Sequence, residues 1–247
     1  MNQRLADATW PEISARPLVL VPVGSTEQHG PHLPFDTDTS IAVAVAEGAA
    51  RALQLIEDGP VAVVAPAIAY GSSGEHQSFP GTCSVGTTVL RSVVVELVRS
   101  LSTWAGRVVL VNAHGGNLQA LTSAVAQMID EGHDVAWLPC ATEEYDLHAG
   151  FTETSLMLHL RPAAVRLERA EAGDLRSIEE ILPILVEGGV GAVSINGVLG
   201  DPAGATAAHG REVLAAMVRE TVDALTTGVV DERGRLQLPI GSAIVEA

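Results

Sequence analysis

Apolar runs typical of buried β-strands alternate along this chain with amphipathic runs typical of α-helices. We predict strands over Leu18–Val23, Val61–Ala67, Arg107–Val111 and Asp134–Pro139. We predict the intervening helices over Thr39–Leu55, Thr87–Trp104 and Asn117–Glu131. Such alternation favours a mainly parallel sheet that is covered by helices on both faces, so the expected fold class is α/β.

The pattern is less regular after residue 160. We predict a helix over Asp174–Leu185, a glycine-rich stretch over Gly188–Gly204, a further helix ending near Leu225, and a peripheral tail from Asp231. No linker, low-complexity segment or internal repeat interrupts the chain. We therefore expect a single domain over residues 1–247.

Composition excludes two classes of partner. The formal net charge is −16, with 30 acidic against 14 basic residues, and an acidic surface repels nucleic acid and anionic membranes. No apolar run reaches the length of a membrane span, and the N-terminal residues lack the apolar core of a signal peptide. We expect a cytoplasmic protein. Its two cysteines, Cys83 and Cys140, are expected to be buried free thiols.

Polar residues follow each predicted strand directly or after a short loop. The first strand leads into Gly24–His32, the second into Tyr70–His76, the third into Asn112–Asn117 and the fourth into His148–Glu153. In open α/β sheets, ligands bind outside the carboxyl ends of the strands. Four strand ends thus deliver histidines and carboxylates to one edge, which predicts a metal site.

The candidate metal ligands are Glu27, His29, Asp38 and His114. Glu27 and His29 are two residues apart, so on an extended segment their side chains point the same way. Asp38 opens the next helix, where its carboxylate could bridge two metals, and His114 comes from another strand end. Mixed imidazole and carboxylate ligands suit Zn²⁺, Fe²⁺ or Mn²⁺.

Each of these residues also has a structural interpretation. A loop glutamate such as Glu27 is commonly just solvated, and Asp36 and Asp38 could both serve as helix-start residues. We assign Asp38 as the ligand and leave Asp36 at the surface or in a supporting position. His114 could belong to a tight turn made by the glycines that follow it.

The loop after the second predicted strand is polar and glycine-rich, so its residues Ser72, Ser73, Glu75 and His76 are candidates for the substrate pocket. Asn117, after the third strand, could cap the next helix or present its amide to substrate. His32 is either a support for the ligands or a packed loop histidine. His133 and His159 receive no role, and His209 is expected at the surface.

Together these segments resemble the creatininase (creatinine amidohydrolase) family. The matching stretches are Gly24–Pro34, Asp36–Thr39, Asn112–Asn117 and His148–Ser155. The resemblance implies a three-layer α/β/α sandwich, a two-metal site and ring-like homo-oligomers. It also implies a metal-dependent hydrolase of amide bonds.

The resemblance further implies a role for each ligand. Glu27 and His29 each hold one metal, Asp38 bridges both, and His114 joins the metal of Glu27. Creatininase itself carries a metal-binding glutamate two residues after the histidine that matches His114, whereas this chain has Gly116. The second metal is therefore expected to be weaker or to be completed by Glu153.

Four stretches, of which one is already in the set above, resemble the branch of this family that serves mycofactocin biosynthesis. They are Gly74–Gln77, Pro139–Thr142, His148–Ser155 and Gly197–Pro202. Members of that branch are peptidases that trim a modified precursor peptide and release its C-terminal cross-linked Val–Tyr unit. The resemblance implies this peptide as the substrate.

The expected reaction is attack of a metal-activated water on the amide carbon. The leaving nitrogen then needs a proton, for which His148 is the candidate, five residues before Glu153 in what we predict to be the same strand-end loop. Alternatively, His148 only orients Glu153. Two other functions stay open: hydrolysis of a small cyclic or formyl amide, and peptide binding by a metal-stabilised, non-catalytic subunit.

Overall fold

A four-stranded parallel sheet forms the centre of the computed structural model, which describes residues 3–140 and 146–237. Ala141 and Thr142 of the Pro139–Thr142 stretch lie outside the described residues. The strands are β1 (Leu18–Val23), β2 (Ala62–Val64), β3 (Arg107–Asn112) and β4 (Val135–Pro139), in the spatial order β2-β1-β3-β4.

Helices cover the sheet, and a short hairpin follows the last of them. The helices are α1 (Thr37–Leu53), α2 (Gly86–Leu101), α3 (Leu118–Asp130), α4 (Phe151–Leu160), α5 (Ile178–Gly188), α6 (Val190–Val193) and α7 (Ala207–Thr227). The hairpin consists of β5 (Val229–Val230) and β6 (Leu236–Gln237), which pair antiparallel.

The period-two alternation of the strands divides the core into two layers of side chains. In β1, Val19 and Val21 pack with residues of α2 and α3 on one face. Leu18 and Leu20 pack with residues of α1, α4 and α7 on the other face. Because both faces are buried, the strand is a continuous apolar run. The α/β fold with helices on both faces is confirmed, as three layers.

The order of the strands places a topological switch point at the centre of the sheet. The chain passes from β1 through α1 to β2 at one edge, then crosses through α2 to β3 on the other side of β1. The parallel register pairs Val23 with Asn112, so the carboxyl ends of β1 and β3 lie side by side. Ligand sites in open α/β sheets form at such a point.

The structure corrects several predicted boundaries. The second strand is shorter than predicted, α1 begins two residues earlier and α2 ends three residues earlier. The predicted helix from Asp174 begins instead at Ile178, because Ser177 and Glu180 form a capping box at its start. The tail from Asp231 is less peripheral than predicted, since the main-chain N–H of Trp137 in β4 donates to Gly234 O at 3.0 Å.

Helix α4 was missed, because its sequence lacks an apolar stripe. The side chains from Thr152 to Met157 are all buried, so the helix has no solvated face to give an amphipathic period. Gly210 allows α7 to approach it closely, since a Cβ there would lie 1.9 Å from Ser155 O. The prediction for Cys83 was wrong, because Cys83 is exposed, whereas Cys140 is buried as predicted.

Within the described residues, none of the helices combines the length and the apolar character required to cross a membrane.

Candidate metal centre

Glu27 and His29 lie in the loop after β1, and both side chains are fully buried. As the two-residue spacing predicts, they enter one cluster together with Asp38. The His29 ring nitrogen Nδ1 lies 3.1 Å from the main-chain oxygen of Glu27, to which it can donate. Its Nε2 then faces Asp38 Oδ1 at 2.9 Å, which is the orientation of a metal-binding imidazole.

Asp38 lies in the first turn of α1 and presents its two carboxylate oxygens to two different histidines. Oδ1 faces His29, while Oδ2 lies 3.3 Å from His114 Nδ1 and accepts a hydrogen bond of 2.5 Å from Ser25 Oγ. A carboxylate between two imidazoles is suited to bridging two ions. Asp36, by contrast, is half exposed and pairs with Arg161.

His114 follows β3 and reaches the cluster from the neighbouring strand end. Its Nδ1 lies 3.2 Å from Glu27 Oε1, and its Nε2 lies 3.2 Å from the main-chain oxygen of Ser72. Donation of the Nε2 proton to Ser72 leaves Nδ1 facing the two carboxylates. Asn112 supports the turn by donating from its amide to His114 O at 2.8 Å.

Asn117 joins the loops around His114. Its amide nitrogen donates to Gly24 O at 2.9 Å, and its amide oxygen accepts from the Ser72 N–H at 2.8 Å. The side chain is fully buried. These contacts give Asn117 a structural role, and its contact with substrate stays a prediction.

His148 and Glu153 reach the cluster from the segment that opens α4. His148 Nε2 lies 2.9 Å from Gln28 O, and His148 Nδ1 lies 4.0 Å from Glu27 Oε1. Glu153 Oε2 accepts a 2.5 Å hydrogen bond from the Ala149 N–H and lies 4.0 Å from His29 Nε2. The expected shared loop was wrong: Glu153 belongs to the first turn of α4.

The loop after β2 was predicted to line a substrate pocket, but two of its side chains contact the cluster itself. His76 Nε2 lies 3.3 Å from Glu27 Oε1, and Glu75 Oε1 lies 3.3 Å from His114 Nε2. Ser72 Oγ pairs with Thr87 Oγ1 at 2.9 Å, while Ser73 Oγ is buried without a partner among the described residues.

Gly116 leaves room for the carboxylate of Glu75. A Cβ at position 116 would lie 2.4 Å from Glu75 Oε1, 2.4 Å from Ser72 O and 2.5 Å from His114 Nε2. Such distances are too short for real atoms, so no side chain fits there in this arrangement. The carboxylate beside His114 is therefore supplied by Glu75, from another strand end.

The charges of the cluster shift its pKa values strongly. Burial alone would raise the pKa of Glu27 and Asp38, but the charged imidazoles of His114 and His29 outweigh it, so both pKa values are lowered. Burial likewise opposes the charge on the imidazoles. Even so, the pKa of His29 rises to about 10 beside Asp38, and the pKa of His114 is raised beside Glu27. The cluster therefore strongly favours cations.

The pKa values of Glu153, His76 and His148 shift in the opposite direction. Burial raises the pKa of Glu153 to about 8, against the attraction of the His29 charge. Burial is also the main cause of the lowered pKa values of His76 and His148. Without a metal, these three side chains are neutral at neutral pH.

The donor set fits a divalent metal. Both carboxylate oxygens of Glu27 are buried and accept no hydrogen bond from the described residues, which is costly unless a cation pairs with them. Four groups of three residues could each hold an ion. They are Glu27–His29–Asp38, His29–His148–Glu153, Glu27–Glu75–His114 and Glu27–His76–His148.

The cluster opens to solvent beside Glu75, whose side chain is 33% exposed, whereas the other cluster side chains are buried. A cavity of about 520 Å³ lies there, lined by Glu75, Ser78 and the end of α5 with Leu185 and Val186. The carboxylate of Glu75 is therefore shared between the cluster and this cavity.

The remaining histidines differ in their relation to the centre. His32 is buried, and its Nε2 lies 2.8 Å from Thr154 Oγ1, next in sequence to Glu153. Since this contact is with a neighbour of Glu153 and not with a candidate ligand, both roles of His32 stay open. His209 is half-buried against Phe151, with ring centroids 4.7 Å apart, so its expected surface position is only partly right.

Gln28, which lies between Glu27 and His29, was not predicted to belong to the site. Its side chain is buried and contacts both His76 and His148. Its position inside the Glu-x-His pair was the available signal, because a residue between two ligands projects to the opposite side of the segment.

A family model described as creatininase, creatinine amidohydrolase, matches residues 6–225. A protein of Mycobacterium tuberculosis named mycofactocin precursor peptide peptidase is 53% identical over 223 residues, which cover 88% of each chain.

Two solved structures share the fold. A structure described as creatininase with Mn superposes with a TM-score of 0.73 at 26% identity, covering 91% of this chain and 98% of that chain. A mutant creatininase described as the Zn-Zn type gives a TM-score of 0.71 at 25% identity, covering 91% and 97%. The likeness extends over nearly the whole of each chain.

Proposed function

Because the chain belongs to the creatininase family, we propose that it is a metal-dependent peptidase that cleaves a modified precursor peptide in mycofactocin biosynthesis. Membership makes it a hydrolase of amide or peptide bonds. The observation that carries the finer proposal is the buried cluster of imidazoles and carboxylates in a chain that is 53% identical to a protein named for this activity.

We assign the cluster to two divalent metals. Glu27 and His114 would hold one, His29 and Glu153 the other, and Asp38 would bridge them, because its two oxygens face His29 and His114 separately. When bound, such ions supply Lewis acidity, which lowers the pKa of water and polarises a carbonyl oxygen. Fe²⁺, Zn²⁺ and Mn²⁺ all suit this donor set.

His148 is the proposed proton carrier. Its Nε2 proton is engaged by Gln28 O at 2.9 Å, which leaves Nδ1 without a proton on the side of Glu27. The lowered pKa keeps that nitrogen free at neutral pH. His148 can therefore accept the proton of the attacking water at Nδ1 and return it to the leaving amide nitrogen.

The cavity beside Glu75 supports a peptide substrate. It is lined by the apolar side chains Leu185 and Val186 and by the carboxylates of Glu75 and Glu187. An apolar C-terminal portion, such as the cross-linked Val–Tyr unit, could lie against the end of α5 while its preceding amide bond reaches the cluster.

Mass spectrometry of the modified precursor peptide tests the proposal. Metal-loaded protein should release the C-terminal residue pair, and chelator-treated protein should not. The controls are the unmodified precursor and creatinine, offered under identical conditions. Turnover of creatinine with an intact peptide would replace the proposal with small-amide hydrolysis. Tight binding of an uncut peptide would instead show a non-catalytic subunit.

A further inference from the structure

The side chain of Gln28 lies between two histidines of the cluster. It is 5% exposed and forms a closed set of hydrogen bonds. Its amide oxygen accepts from the Gly30 N–H at 2.8 Å, and its amide nitrogen donates to Gly197 O at 3.0 Å. The same nitrogen lies 2.8 Å from His76 Nδ1.

The orientation of this amide is determined by its main-chain partners. The group of Gly30 that faces the amide is its N–H, and the group of Gly197 is its carbonyl oxygen. A reversed amide would therefore place two donors together and two acceptors together. The nitrogen of the amide therefore faces His76.

The two protons of the Gln28 amide then determine which ring nitrogen of His76 is protonated. The amide nitrogen of Gln28 carries two protons, of which one is donated to Gly197 and the other points at His76 Nδ1. His76 Nδ1 must accept, so it carries no proton, and the proton of the ring resides on Nε2. His148 Nε2, 3.2 Å from the same amide, does not compete, because its own proton goes to Gln28 O.

We propose that Gln28 is a positioning residue that holds the ring proton of His76 on Nε2. His76 then faces Glu27 Oε1, 3.3 Å away, with an N–H rather than a free lone pair. A protonated ring nitrogen cannot bind a metal, so Glu27–His76–His148 is not a ligand set. His76 instead turns its N–H toward a metal-binding carboxylate, a polar contact of the kind that orients such ligands, although no hydrogen bond forms in the metal-free arrangement.

This inference rests on the proposed function only in assigning Glu27 to a metal. The position of the proton can be measured without metal or substrate, so the two can fail separately. A protein that cuts no peptide could still carry the proton of His76 on Nε2, and an active peptidase could carry it on Nδ1.

Nuclear magnetic resonance of metal-free protein with ¹⁵N-labelled histidine tests the inference, because the nitrogen shift distinguishes protonated from unprotonated ring positions. A His76→Gln variant assigns the ring. We expect a protonated Nε2 in the unsubstituted protein, retained when Zn²⁺ is added. An unprotonated Nε2, or its replacement by a metal-bound signal, would overturn the proposal even if Gln28→Glu does not fold.

Gln28→Glu supplies the second measurement. A carboxyl group of the same shape accepts where the amide donated, so the proton of His76 should move from Nε2 to Nδ1. His148 should keep its proton on Nε2, because the main chain of residue 28 holds it. The matched control is Gln77→Glu, an exposed change next to His76 that should move neither proton. A His76 ring unaffected by Gln28→Glu would contradict the positioning role.

Discussion

Replacing Glu153 by glutamine should stabilise the metal-free protein against unfolding and should weaken metal binding. Burial raises the pKa of Glu153 from 4.5 to about 8. Between these values the carboxyl is protonated in the folded chain and ionised in the unfolded chain, so folding takes up a proton. The stability contributed by the protonated carboxyl is complete below pH 4.5 and is lost as pH rises toward the folded pKa.

The size of the effect follows from the displacement of the pKa. At about pH 7 the raised pKa lowers the free energy of unfolding by an amount on the order of 3 kcal/mol. Above pH 8 the decrease reaches about 5 kcal/mol. Glutamine cannot ionise, and its amide oxygen can still accept from the Ala149 N–H. The variant should therefore match the unsubstituted protein at about pH 5 and exceed it at about pH 8.

Urea denaturation of chelator-treated protein at these two pH values, at one protein concentration, measures the difference. Glu57→Gln, an exposed change outside the cluster, is the matched control and should behave like the unsubstituted protein. Metal titration into the metal-free variant gives the second readout: occupancy should fall toward one ion per chain, because the second ion loses an anionic ligand. Equal pH dependence in both proteins, or two unchanged metal sites, would refute the reasoning.

Three other predictions concern the centre and the assembly. His114→Ala should lower metal affinity more than about 100-fold and abolish peptide cleavage, with the helical circular dichroism retained. Loss of a residue that only hydrogen-bonds a metal ligand already costs about 10–100-fold in affinity. Full metal content by elemental analysis would contradict this. Gly116→Ala should displace the carboxylate of Glu75 together with the Ser72 carbonyl and the His114 ring, and so raise the KM for the peptide and lower metal affinity, with the overall fold intact; an unchanged KM would show that the site accommodates a methyl group. Light scattering at micromolar concentration should detect a homo-oligomer, as the exposed Leu182 and Val186 on α5 favour, and a monomer would reject it.

The location of the centre could be predicted from sequence because it depends on topology. Buried apolar runs revealed β1 and β3, and parallel strands bring their carboxyl ends to one edge. The residues that follow, Glu27 and His114, therefore had to meet. Asp38 was predictable for a similar reason, since the helix that it opens starts at the same edge.

What the sequence did not reveal depends on contacts between distant segments. Helix α4 is buried on every side, so its sequence shows no helical period, and Glu153 was placed in a loop. His76 and Glu75 looked like pocket residues because nothing in the Gly74–Gln77 stretch shows that it folds inward against Glu27 and His114. The proton-directing contact of Gln28 involves Gly197, 169 residues away.

The absence of a side chain at Gly116 constrains how this lineage can have diverged. A side chain at that position would occupy the volume of the Glu75 carboxylate and would also meet the Ser72 main-chain oxygen and the His114 ring. A relative that gains a carboxylate at position 116 must therefore reshape the loop after β2 as well as lose or redirect the carboxylate at position 75. Intermediates with neither carboxylate leave the Nε2 side of His114 without a negative charge, so the two positions should change together across sequences and rarely one at a time.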